Sequence, residues 1–143
     1  MKSFLSFVFA ALFAVPGLAQ TVPQPVVELL APDGDALDLS QFLWKKRLLV
    51  IFAESPGDPR FIEQMTLLET RTGDLVERDV VLLTDTNPDA ESALRLKFRP
   101  RGFMLVLMGK DGSVYLRKPL PWSTREISRS IDKMPLRRQE LRK

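Results

Sequence analysis

Cysteine and histidine are both absent from the 143 residues. Without a thiol there is no disulfide, no thiol redox chemistry, no cysteine nucleophile and no thiolate-held metal or iron–sulfur cluster. Without an imidazole the chain lacks the usual general base, the Ser-His-Asp triad and the commonest transition-metal ligand. Tyrosine is scarce as well, with Tyr115 alone. Catalysis is left with carboxylates, lysines and hydroxyls, and neither a cofactor nor a metal is expected. That composition leans away from an enzyme.

Long hydrophobic runs are limited to one, at the amino terminus. Met1-Lys2-Ser3 supplies a positive start, and Phe4 to Val15 is apolar except for Ser6. Small residues at Gly17 and Ala19 then mark a cleavage site, so residues 1–19 read as a signal peptide. Twelve residues fall short of the roughly 20 that a spanning helix needs. The expected location is exported, periplasmic or secreted, with no transmembrane segment after signal cleavage. The remaining 124 residues suffice for one packed domain that needs no disulfide.

Along that mature chain, 20–36 reads as a leader, 37–135 as the folded domain and 136–143 as a basic tail. Ser40 is the expected cap of a short turn. Leu48 to Ala53 is a continuous apolar run of strand length, the pattern of a strand covered on both faces. Asp58-Pro59 opens a helix whose apolar positions run from Phe61 to Leu68, with Gly73 as its terminator. Val80 to Leu83 is a second strand, and Asn87-Pro88 opens a second helix through Phe98. Phe103 to Met108 and Val114 to Arg117 flank Gly109-Lys110-Asp111-Gly112, a tight-turn signal. Ser123 and Glu126 form a capping box with Trp122 and Ile127 as a staple, and Pro135 ends that helix. The order is a parallel strand–helix–strand unit followed by an antiparallel hairpin and a closing helix.

This order resembles the thioredoxin-like fold. Phe52-Ala53-Glu54-Ser55-Pro56-Gly57-Asp58-Pro59 looks like that fold's active-site approach, with Pro56 and Pro59 where it carries paired cysteines. Further strings are Trp44-Lys45-Lys46-Arg47, Glu77-Arg78-Asp79, Gly109-Lys110-Asp111-Gly112 and Ile131-Asp132-Lys133-Met134-Pro135-Leu136-Arg137-Arg138-Gln139-Glu140. Together they resemble a family of exported thioredoxin-like domains of unknown function. It is shared by small bacterial exported proteins and vertebrate extracellular proteins with sushi repeats. The implied architecture is α/β, a thioredoxin-like three-layer α/β/α with a mixed four-stranded sheet. The family lends no reaction.

Two candidate sites follow from the residues. The loop with Glu54, Ser55, Asp58 and Arg60 sits where this fold does its work, and its two carboxylates suggest an acid–base pair or a hold on a hard cation, for which two carboxylates alone are a poor set. The alternative for the same loop is a capped helix start in solvent. The second site comes from charge. Residues 20–94 hold 6 basic and 14 acidic side chains, while 95–143 hold 14 basic and 4 acidic. Arg125, Arg129, Lys133, Arg137 and Arg138 are the candidate surface for an anionic envelope partner or an unknown acidic protein. The competing expectation is that the two halves neutralise each other across the fold. Nucleic acid is not expected, because the basic residues lack interleaved aromatics for stacking.

Overall fold

A computed structural model of the chain describes residues 26–27 and 38–143. The expected signal peptide, 1–19, and all of the leader except Val26–Val27 lie outside the described residues. Five strands form one sheet in the order β1-β3-β2-β4-β5: β1 Val26–Val27, β2 Arg47–Phe52, β3 Val80–Asp85, β4 Met104–Met108 and β5 Val114–Lys118. The four expected strands are joined at the edge by the two-residue β1. β3 runs parallel to both β1 and β2, while β4 runs antiparallel to β2 and to β5.

The central strand shows why the run of apolar residues carries no alternation. All six residues of β2 are buried, because helices cover both faces of the sheet. Leu49 and Ile51 pack on one face with Leu68 of α1 (Pro59–Glu69), Leu75 of α2 (Thr72–Glu77) and Ile127 and Ile131 of α4 (Thr124–Asp132). Leu48, Val50 and Phe52 pack on the other with Leu94 and Phe98 of α3 (Ala93–Phe98), and with Leu39 and Phe42 of a short 3-10 turn. That is the expected three-layer α/β/α arrangement.

Local signals explain most boundaries. Ser123 and Glu126 close a complete capping box on α4, and Trp122 packs against the core containing Ile127. Gly112 turns the β4–β5 hairpin at φ +82°. Four expectations fail locally. Asp38, not Ser40, caps the first turn, accepting the Ser40 N–H at 2.9 Å. Gly73 does not terminate α1 but lies inside α2. The helix expected from Asn87-Pro88 is split by Glu91 in the left-handed region, and Ser92 caps α3 afresh. Pro135 follows the end of α4 as expected, but no tail begins there: the proline occupies the first turn of a further helix, α5 (Pro135–Glu140). The expected basic tail is thus helical through Glu140, with Arg137 buried.

Candidate functional site

The loop after β2 uses its own polar groups for structure. Asp58 accepts the Arg60 N–H at 2.9 Å, which caps α1, with Pro59 in the first turn. Glu54 reaches across to accept the Gly102 N–H at 3.1 Å. Ser55 donates nothing from its side chain among the described residues, while its carbonyl accepts the Asp58 N–H at 3.2 Å. Arg60 is exposed and joins no ion pair among the described residues. The structure therefore places Glu54, Ser55, Asp58 and Arg60 on one loop, but both carboxylates hold backbone amides. Among the described residues, no group of three or more Asp or Glu side chains is gathered tightly enough to hold a metal ion.

Beneath that loop lies a buried pair that the sequence reading missed. Asp85 is the last residue of β3 and Arg95 the third of α3, and each is 8 % exposed. Arg95 Nε donates to Asp85 Oδ1 at 2.9 Å, and its Nη2 donates to the carbonyls of Ala53 and Asp85. The guanidinium also stacks 5.6 Å from the centre of the Phe52 ring. Ser92 donates its hydroxyl to the second Asp85 oxygen, and the Asn87 N–H adds a bond at 3.2 Å. Every oxygen of Asp85 is thereby engaged. A carboxylate so occupied ties the ends of β2 and β3 to the start of α3.

The opposite end of the sheet is richer in charge. Arg47, at the start of β2, is 1 % exposed and donates from Nη2 to both Glu140 oxygens at 3.2 Å. Lys110 bridges Glu140 at 2.7 Å and Asp79 at 2.9 Å. Arg78 grips Asp132 with two bonds of 2.9 Å. Arg137 stands among Glu77, Asp132 and Glu140 at 3.4 to 3.8 Å. With Lys46 at 3.9 Å from Asp79, nine charged side chains form one connected network.

The network's electrostatics favour the charged forms. The Arg78 hydrogen bonds hold the Asp132 carboxyl below its usual range, and Asp132 in return raises Arg78. For Glu140, burial pushes the carboxyl up, but hydrogen bonds and charge from Lys110 and Arg47 outweigh it and the net direction is down. The strings Trp44–Arg47, Glu77–Asp79, Gly109–Gly112 and Ile131–Glu140, which carried the resemblance, meet here. The fold thus brings together residues up to 93 positions apart.

Of the five residues expected to face an anionic partner, the structure keeps four at the surface. Arg125, Arg129 and Lys133 lie four apart along α4 and its end, and are exposed, as is Arg138. None of the four joins an ion pair among the described residues. Arg137 is the correction: it is 7 % exposed and committed to the network, so it cannot meet a partner from outside.

An open pocket of about 640 Å³ lies on the α3 face of the sheet. It is bounded by the turn from Asp38 to Leu43, by α3, and by the Gly109–Gly112 hairpin. No sequence signal marks it, because its walls come from three separate segments.

Residues 38–140 match the family model described as "Domain of unknown function (DUF4174)". Coiled-coil domain-containing protein 80 of Danio rerio is 29% identical over 133 residues, covering 72% of this chain. The chain spans about 15% of that relative's length. Among solved structures, the reduced 2-Cys peroxiredoxin of Plasmodium vivax aligns with a TM-score of 0.56 at 18% identity, covering 72% of this chain and 84% of the other. The thioredoxin peroxidase I of Plasmodium yoelii aligns with a TM-score of 0.50 at 21% identity, covering 72% and 79%. These likenesses establish the thioredoxin-like α/β fold.

Proposed function

The chain belongs to the DUF4174 family, and from that premise we propose that it is an exported, non-catalytic binding or structural module of the cell envelope. Export rests on the signal-like residues 1–19, with cleavage after Ala19. The non-catalytic reading rests on one observation above the others. At the loop where this fold carries thiols the chain has Pro56 and Pro59, and Glu54 and Asp58 hold backbone amides. Thiol exchange requires a thiolate, which this composition cannot supply.

The test is genetic. A strain deleted for the gene is complemented with the chain carrying Glu54→Ala and Asp58→Ala together. Full rescue of whatever the deletion impairs is the expected outcome. Loss of rescue by a variant that still folds would return the loop to a carboxylate-dependent enzyme.

A second reading is favoured by exposed cations of α4, its end and α5 that join no ion pair among the described residues. Arg125, Arg129, Lys133 and Arg138 present one sign of charge to an anionic envelope polymer or lipid. Such binding weakens from low to high salt, because exposed charges are screened within about 8 Å at physiological ionic strength. Retention on anionic vesicles that is indifferent to salt would contradict it.

A further inference from the structure

We propose that the pocket on the α3 face binds a small anionic amphiphile, an acid with an apolar body. Its volume, about 640 Å³, falls within the range of about 300–1,000 Å³ typical of small-molecule sites. Its floor is the outer edge of the second core: Leu48, Leu94 and Met108, each at most 5 % exposed, with Phe42 beside them. The body of a ligand lying there removes apolar wall from water, at about 25 cal/mol per Å².

The rim supplies the sign of the head group. Three lysines and one acid line the pocket. Lys110 contributes its aliphatic stem, since its ammonium is held by Asp79 and Glu140. Lys46 is half-exposed and only 3.9 Å from its single carboxylate, so its charge is weakly committed. Lys97 has no carboxylate partner among the described residues, and its ammonium lies 5.6 Å from the centre of the Phe98 ring. The one acid, Asp38, is turned to the Ser40 N–H, and that contact holds its carboxyl below the usual range. An anionic head over an apolar floor therefore meets lysine on two sides and one occupied carboxylate.

The lip is shaped for this by two details. Gly112 sits at φ +82°, and a Cβ there would stand 2.9 Å from Leu43 Cδ2. Leu43 thus lies against the hairpin turn, extending the apolar wall outward while remaining 39 % exposed. The site is distinct from the arginines of α4 and α5, and its fate does not depend on theirs.

The test uses the purified chain and dodecanoate below its micelle-forming concentration, with dodecyltrimethylammonium as the opposite-charge probe, both by calorimetry. One dodecanoate per chain is expected, with the cationic probe at least about tenfold weaker. Lys97→Glu should weaken dodecanoate about tenfold, and Ala93→Trp, an exposed α3 residue filled into the pocket, at least as much. Both variants should keep the thermal midpoint of the parent. Equal affinity for the two probes, or no effect of Lys97→Glu, would overturn the charge assignment. No binding by the parent, or full binding by Ala93→Trp, would overturn the pocket.

Discussion

The two ends of the central sheet handle charge in opposite ways. Where β2 and β3 finish, one buried pair, Asp85 and Arg95, is closed upon itself and upon the strand ends that it ties. Where they begin, nine charged residues from the turn before β2, β2 itself, α2 and its connection to β3, the hairpin, α4 and α5 share partners with one another. The first end is the one where a thioredoxin-like fold keeps chemistry, and here it is a sealed joint. The second end carries the most elaborate polar contacts among the described residues. The difference teaches where this protein depends on its side chains. It depends on them for holding α5 and the strand starts together, and much less for anything done at the Glu54 loop.

That contrast can be broken most severely at the sealed joint. Asp85→Ala leaves the Arg95 charge buried without its carboxylate, and breaking such a pair costs about 3–5 kcal/mol. Urea unfolding of the variant should show a loss of that size, a large share of the roughly 5–15 kcal/mol of a typical domain. A loss below about 1 kcal/mol would mean that the pair is solvated in a way its 8 % exposure contradicts.

Acid separates the ends by a different route. Asp132 and Glu140 have folded-state values lowered below their ordinary ones, so the unfolded chain binds protons more readily. Their contribution is fully present above about pH 5, the upper edge of unfolded carboxyl titration, and is lost as pH falls through the lowered values. Stability followed by urea unfolding should therefore decline from pH 5 toward pH 3. The double variant Asp132→Asn, Glu140→Gln should be weaker at pH 7 and decline less over that range. An identical slope in parent and variant would remove the network from the account.

The Glu54 loop should respond least. Glu54→Ala with Asp58→Ala removes one helix cap and one exposed amide contact, a loss of about 1 kcal/mol that comes mainly from Asp58. A loss as large as that of Asp85→Ala, again by urea unfolding, would make the two regions equivalent.

Much of the scaffold was legible in local patterns. The unalternated run of β2, the Asp111-Gly112 turn and the Ser123–Glu126 box each encode their structure within a few residues. α5 was not legible, because a proline closes one helix or opens the next with the same missing N–H. Arg47 stands in sequence beside Lys45 and Lys46, with nothing local to set it apart from them. It is buried because Glu140 lies 93 residues on, a distance no local period reports. Arg95 was hidden in the same way within a run of basic residues, its partner sitting just past the expected end of β3. The charge imbalance between halves is answered in part by such pairs: Lys110 with Asp79, Arg137 with Glu77, Arg95 with Asp85. The pocket had no local signature at all, since its walls come from three segments far apart in sequence.

The most direct test of the contrast is a double-mutant cycle at Arg47 and Glu140, using Arg47→Met, Glu140→Gln and both together, each unfolded in urea at pH 7. Because Arg47 is 1 % exposed while Glu140 retains some solvent, the predicted coupling is about 2 kcal/mol, with the double variant losing less than the two single losses combined. A coupling within about 0.3 kcal/mol of zero would mean that the network is surface decoration and that the two ends of the sheet are alike.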